Sequence, residues 1–377
     1  MISQMHTQMA VGDGVPGWVH WPGREDWSAE FMRLLASAQD GGATVAECYL
    51  AARRIRLDDD ASWYREWKRL ADVNMERGDA AIAGGNRATA RSNWLRAVNY
   101  YLAAVFALEA TDRRRRTSIA VMRQCARRLL ENSGGKAELV AIPWLSGYPL
   151  EAYLLMPPDA EGPVPAVICL GEPGHHKEEF LFKLAHHASA RGLALLALDV
   201  LGETSDDRLL ELAGPANLEA MIGRAFEYLS TRPDVDVRRI AVLADGWGSS
   251  FVARGVAHDP RIAAAVCDAG IWDLHERAFL AGRAVGKNAN EIPDVLAGRI
   301  TRNIKCPLLV TIGERGWLKA DRVRRIVEQL REKGRDIDLN IFTAAQTAAS
   351  QGHADNPTLA NEFVFDWLAS RLGLLPD

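Results

Sequence analysis

Several large protein classes are excluded by what this chain lacks. Its five cysteines, Cys48, Cys125, Cys169, Cys267 and Cys306, stand singly with no C-x-x-C pair. That pattern argues against a disulfide framework or a cysteine zinc site and reads as reduced, buried, small hydrophobes. No run approaches the roughly 18 apolar residues of a membrane-spanning helix. The opening MISQMHTQMAVGDG has no cationic stretch followed by an apolar one, so a cytoplasmic location is expected. Excess positive charge is missing too: 45 Lys and Arg face 49 Asp and Glu, a net charge of −4 with the signs mixed throughout. Neither nucleic acid nor a membrane surface is therefore an expected partner. No H-E-x-x-H or comparable carboxylate–histidine spacing announces a metal, no cofactor is expected, and no segment recurs at a fixed period. Small-molecule chemistry or protein contact remains.

A length of 377 residues favours two structural units, because single cores stop growing near about 250–300 residues. We place the boundary at 134/135. Before it, WSAEFMRLLASAQ, WYREWKRLADVNMERGDAAIAGG, RATARSNWLRAVNYYLAAVFAL and RRRRTSIAVMRQCARRLLENSGG repeat apolar residues at helical spacing, with glycine stops after the second and fourth. Residues 1–134 are thus expected to form an all-helical cap or interaction domain, with Trp94, Tyr100 and Tyr101 on apolar faces. The arginine run 113–116 reads as a solvated helix start. The apolar residues of NYYLAAVFAL leave surface for a possible homodimer contact.

Beyond the boundary, residues 135–377 alternate short apolar strands with helices. AELVAIPWLSGYPLEAYLLMPP predicts a hairpin around Ser146-Gly147, and PVPAVICLGEPG a buried strand ending in a Gly/Pro turn. Helices EEFLFKLAHHASARG, NLEAMIGRAFEYLSTR and SSFVARGVAHD then alternate with strands LALLALDV, RRIAVLA and RIAAAVCDAG. After a helical excursion over 272–300 come strand CPLLVTIG, helix ADRVRRIVEQLREKG, strand DIDLNIF and helix PTLANEFVFDWLASRLG. This grammar gives a mostly parallel, doubly wound sheet covered on both faces, whose site lies beyond the strand C-termini.

Three stretches, GEPGHHKEEF after the third strand, ADGWGSS after the fifth and GHADNPTLANEFVFDWL at the end, carry a resemblance to the α/β-hydrolase superfamily. More narrowly, the chain resembles the fermentation–respiration-switch and 2,6-dihydroxypseudooxynicotine-hydrolase group, which implies an α/β-hydrolase fold preceded by a helical cap. In that group the strand-to-helix elbow reads G-x-S-x-G. Here Ala244-Asp245-Gly246-Trp247-Gly248 fills the five positions, so Gly246 stands where the serine is expected. A glycine has no atom to attack a carbonyl. Ser249 and Ser250 fall in the first helical turn and are expected to pack or cap.

The triad acid is expected after the seventh strand, where TIGERGWLKAD puts Gly316 in its slot. Glu314 and Asp321 are the nearby carboxylates; Glu314 is balanced between that role and a turn residue, and Asp321 reads first as a helix N-cap. His353, in the Gly-containing loop before the last helix, matches the position of the triad histidine and is the expected acid–base group. By the same resemblance, the loop at His175 and His176 and the backbone N–H of Trp247 build an oxyanion hole. One of the two histidines is expected to face the site. Lys177 is a substrate-binding candidate or an exposed helix start. Asp245 orients a histidine or water, or holds its own turn. Trp247 and Trp272 suit an apolar or conjugated ligand, or are core. His186 and His187 are read as without function.

These parts leave three readings open. The first is elimination: His353 removes a proton made acidic by a carbonyl, N–H groups hold the enolate, and a carboxylate leaves. The likeness to hydrolase-fold lyases that remove acetate from O-acetylated tetronate polyketide intermediates, leaving an exocyclic alkene, favours it. The second is hydrolysis of an ester or carbon–carbon bond by activated water. The third is a catalytically inert binding protein that uses the helical domain for contact, and retention of His353 weighs against it.

Overall fold

The structure, a computed structural model, describes residues 19–109, 111–145, 147–158, 160–171, 175–199, 215–244, 246, 248–270, 303–316 and 318–374. Its contacts divide the chain into two units. One runs up to Glu138 and also takes in Glu178–His186 and Ala354–Thr358; the other comprises Leu139–Lys177, His187–His353 and the chain from Leu359.

The helical unit contains α1 (Glu25–Ala36), α2 (Val45–Ala52), α3 (Asp60–Ala83), α4 (Arg87–Phe106) and α5 (Arg113–Glu131). Helix α2 falls between two of the expected segments. Its start is written as Thr44-Val45-Ala46-Glu47, a threonine followed three residues later by a glutamate, and the Glu47 N–H donates to Thr44 Oγ1 at 3.3 Å. The core of this unit is aromatic: Trp27, Trp63, Trp67, Trp94, Tyr100 and Tyr101 are all essentially inaccessible. Gly78 in the middle of α3 lets Trp94 close on the backbone, since a Cβ there would stand 2.5 Å from the indole. A glycine in a helix interior costs about 1 kcal/mol against alanine, offset here by burial of the large ring.

Two expectations for this unit need correction. Most of NYYLAAVFAL, including Tyr100, Tyr101, Ala103, Ala104 and Val105, is buried within the unit, so this stretch offers no open apolar face. The arginine run is not uniformly solvated either. Arg115 Nη1 donates to the carbonyl oxygens of Val105 at 2.8 Å and Leu108 at 3.2 Å, closing the end of α4.

The other unit is built on an eight-stranded sheet: β1 (Ala137–Leu145), β2 (Tyr148–Leu155), β3 (Val164–Leu170), β4 (Ala194–Leu198), β5 (Val235–Ala244), β6 (Ala264–Asp268), β7 (Leu308–Gly313) and β8 (Ile337–Phe342). The spatial order is β1-β2-β4-β3-β5-β6-β7-β8. β2 runs antiparallel to β4, and the pairs β4–β3, β3–β5, β5–β6, β6–β7 and β7–β8 are parallel. The central strands are apolar on both faces, as a sheet covered on both sides requires. Helices α8 (Pro215–Ser230), α9 (Gly248–His258), α10 (Ala320–Glu332) and α11 (Pro357–Arg371) complete it. The helix expected over EEFLFKLAHHASARG is broken into a 3-10 turn at Lys177–Glu179, α6 (Phe180–Lys183) and α7 (Ala185–Ala190). Of its two histidines, His186 is exposed and His187 is buried, stacked on Phe365 at 5.9 Å. The excursion expected over 272–300 lies outside the described residues.

Four of the cysteines are buried and Cys306 is half-buried, all as free thiols. Burial pushes the thiols of Cys48, Cys125 and Cys306 up to about 12, which keeps them protonated and unreactive at neutral pH. Among the described residues no helix is long and apolar enough to cross a membrane.

Candidate active site

The parallel strands bring their C-terminal ends together, and polar side chains gather there. β5 ends at Ala244 and α9 begins at Gly248; between them Gly246 has φ 58, the left-handed conformation of a tight strand-to-helix turn. Ser249, in the first turn of α9, is fully buried and its hydroxyl donates to the backbone carbonyl of Asp268 at 2.8 Å. It therefore ties the start of α9 to the end of β6.

Asp268 is the last residue of β6. The β6–β7 register sets it opposite Thr311, whose hydroxyl donates to Asp268 Oδ1. The Ala269 N–H donates to the same oxygen at 3.1 Å. His353 Nε2 stands 2.9 Å from Asp268 Oδ1, with the histidine side chain 1% and the aspartate side chain 7% exposed. The other ring nitrogen, Nδ1, lies 2.6 Å from the Ala348 carbonyl oxygen. A carbonyl only accepts, so in this geometry Nδ1 carries a proton and donates it, and Nε2 is the nitrogen beside the carboxylate. The Phe342 ring meets the imidazole edge-on, with centroids 4.9 Å apart.

Backbone strain is concentrated at this pair. Among the described residues every non-glycine residue with positive φ lies in its two loops: Ala269 at 68°, Thr347 at 70°, Ala348 at 55° and His353 at 55°. Such conformations cost on the order of 1–3 kcal/mol each and persist only where the surroundings over-determine them. Here the surroundings include Gly313 at the end of β7. A Cβ on Gly313 would stand 2.3 Å from the Ala349 carbonyl oxygen, so only glycine lets the His353 loop rest on the strand end. The Arg315 N–H then donates to that same carbonyl at 2.8 Å.

Beside β3 a second polar group is fixed by its neighbours. The His175 ring lies against Gly171, where a Cβ would meet it at 2.5 Å. His176 is buried, and Lys177 is only 1% exposed. Lys177 Nζ contacts Asp199 Oδ2 at 2.6 Å, and the Lys177 backbone N–H donates to Asp199 Oδ1, also at 2.6 Å. Burial pushes the Asp199 carboxyl up, but the charge and hydrogen bonds of Lys177, with His176 nearby, outweigh it and hold the group below the usual carboxylate range. Lys177 is thus a buried clamp on the loop and not an exposed helix start.

The carboxylate beside His353 is Asp268, which reading the sequence passed over. Glu314 is exposed, and its carboxylate accepts the Ala344 N–H at 2.8 Å, the turn-holding role. Asp321 sits in the first turn of α10 and pairs with Arg324 at 2.7 Å, while Lys319 occupies the N-cap. Asp245, Trp247 and Trp272 lie outside the described residues. One signal for Asp268 was available: in this fold the triad members follow in the order nucleophile, acid, histidine. An aspartate closing an otherwise apolar strand between positions 246 and 353 satisfies that order.

Residues 57–306 match the family described as FrsA-like, esterase FrsA-like. The hydrolyase poxO of Penicillium oxalicum is 32% identical over 264 residues, covering 66% of this chain and 62% of poxO. The 20-hydroxy-prefusarin hydrolase FUS2 of Gibberella moniliformis is 28% identical over 262 residues, 66% of this chain and 61% of that protein. The chain thus spans less than two thirds of the length of these relatives. The crystal structure of the 2,6-dihydroxy-pseudo-oxynicotine hydrolase superposes with a TM-score of 0.69 at 19% identity, over 89% of this chain and 95% of the other. The chain is a member of the FrsA-like esterase family of α/β hydrolases.

Proposed function

We propose that this hydrolase-fold enzyme works by acid–base chemistry without a covalent acyl intermediate, and that its reaction is the elimination of acetate from an O-acetylated, polyketide-like small molecule such as a tetronate. The observation that carries the reading is a buried His353–Asp268 pair combined with a glycine at the apex of the elbow. The base is the form of the pair that has given up the proton shared between Nε2 and Oδ1 to solvent; with Nδ1 still protonated and Asp268 ionised, it accepts a proton from carbon next to a carbonyl. That proton ends between Nε2 and Oδ1, where the carboxylate stabilises the imidazolium. The electron pair left on carbon forms the alkene as the carbon–oxygen bond breaks, and acetate departs with the electrons of that bond. The His175–His176 loop and the backbone after Gly246 hold the enolate oxygen. Support also comes from the word hydrolyase in the name of the Penicillium relative.

Hydrolysis by a water activated at the same pair is the second reading, favoured by the word hydrolase in the name of the Gibberella relative. Both readings make one shared prediction. With an O-acetylated tetronate as substrate, His353→Ala should lower turnover at least about a hundredfold, the scale of general acid–base loss. Intact-protein mass spectrometry during turnover should show no acetyl adduct. Unchanged turnover in the variant, or a chemically competent adduct on the wild type, would remove the mechanism.

A further inference from the structure

The two segments that carry the candidate histidines both lead, one residue later, into stretches that pack with the helical unit. Lys177 is followed by Glu178–His186, and His353 is followed by Ala354–Thr358. Within that unit the two stretches rest on one short turn, Asp40-Gly41-Gly42, between α1 and α2. The Phe182 ring lies on Gly42, where an added Cβ would stand 3.0 Å from it. Thr358 Oγ1 donates to Asp40 Oδ2 at 3.0 Å, and Thr358 is buried.

This turn is a rigid support. Asn99, fully buried, donates to the Gly42 carbonyl at 2.9 Å and to Ser37 Oγ at 2.8 Å. Its own carbonyl oxygen accepts from Arg33 Nη1 at 2.8 Å, and Arg33 is locked to Glu30 by contacts of 2.8 and 2.6 Å. The Gly42 N–H donates to Ser37 O at 2.9 Å, so the turn is closed on both sides. Asp40 also places a carboxylate at the first turn of α11, where a negative charge is favoured. Fixing the start of α11 fixes the end of a loop that must hold positive φ at Thr347, Ala348, Gly352 and His353.

We infer that Asp40 is a positioning residue for His353, acting through Thr358, and that Gly42 does the same for the His175–Lys177 loop through Phe182. The turn at 40–42 then sets the precision of the two loop segments that rest on it. The consequence for turnover rests on the acid–base reading, whereas the consequence for loop order does not.

Hydrogen exchange followed by mass spectrometry on the full chain tests it without substrate. Asp40→Ala and, separately, the near-isosteric Thr358→Val should raise exchange in peptides covering 345–358 by about tenfold, the scale of a lost hydrogen bond to a charged group. Peptides covering β3 and β7 should not change. Asp40→Asn, which keeps an acceptor, should restore most of the protection. Gly42→Ala should loosen 175–186 and leave 345–358 as it was. Unchanged protection of 345–358 in both Asp40→Ala and Thr358→Val overturns the inference, as does a uniform rise across all peptides in Thr358→Val. In the turnover assay Asp40→Ala should lower kcat with KM unchanged. If His353→Ala leaves turnover intact, the acid–base reading falls while the exchange result still decides the positioning role; if His353→Ala is inactive and Asp40→Ala is wild-type in both assays, the inference alone falls.

Discussion

Replacing Lys177 with methionine removes one half of a buried ion pair and leaves the other half in place. In the native protein Lys177 is 1% exposed and the Asp199 side chain 10%, with Nζ at 2.6 Å from Oδ2. Glu151, a further carboxylate near Nζ, stands at 3.7 Å with a side chain 62% exposed, so it adds little. Stranding one charge of a buried pair costs about 3–5 kcal/mol. The Lys177 backbone N–H still donates to Asp199 Oδ1 in the variant, which places the expected loss at the lower end, about 3 kcal/mol. Against a total stability on the order of 5–15 kcal/mol this is a large fraction. Urea unfolding followed by circular dichroism at neutral pH should show a clearly lowered midpoint. The double variant Lys177→Met, Asp199→Asn should recover much of it, because the uncompensated charge is gone.

The pH dependence follows from the direction of the Asp199 shift. Its folded value is depressed, so its contribution is present above the unfolded value near about 4 and is lost as pH falls through the folded value. The gap between wild type and Lys177→Met should therefore be widest above about pH 4 and close on further acidification. A loss under about 1 kcal/mol, or single-variant losses that simply add in the double variant, would refute the clamp.

Gly313→Ala drives a Cβ to within 2.3 Å of the Ala349 carbonyl oxygen, so the His353 loop must shift; a cost of about 1–3 kcal/mol from overpacking is expected. Thermal unfolding and turnover should both fall, and unchanged values in both would contradict the tight strand–loop contact. Ser249→Ala loses a buried hydroxyl bond of 2.8 Å to the Asp268 carbonyl, worth about 1 kcal/mol. Turnover should nevertheless stay within a few-fold, and abolition would identify Ser249 as a replacement nucleophile.

The order of strands and helices in the sheet unit was legible because hairpin, apolar strand and amphipathic helix alternate with clear Gly and Pro punctuation. The elbow was legible for the same reason: an apolar strand, a glycine turn and small residues opening a helix occur together at 241–250. His353 was singled out by its place in a loop before the last helix, and the structure sets it beside Asp268. Asp268 and Asp199 were missed for one physical reason. Asp268 ends an apolar strand and Asp199 directly follows one, so that alone in the sequence each reads as a frayed strand end; their partners, His353 and Lys177, are distant or on another element. Lys177 was misjudged because a lysine near a helix start is ordinarily solvated, and here the Asp199 carboxylate offsets the cost of its burial. Helix α2 was missed although the threonine and glutamate of its first turn were visible, since eight residues give too short a window for periodicity to register.

The central claim, that a proton is taken and acetate expelled without water or serine attacking the acyl carbon, is tested most directly by the oxygen atoms of the product. An O-acetylated tetronate turned over in oxygen-18 water should release acetate carrying no label, because elimination breaks the bond between acetate oxygen and the substrate carbon. Acetate carrying one oxygen-18 would show attack at the acyl carbon and contradict the account.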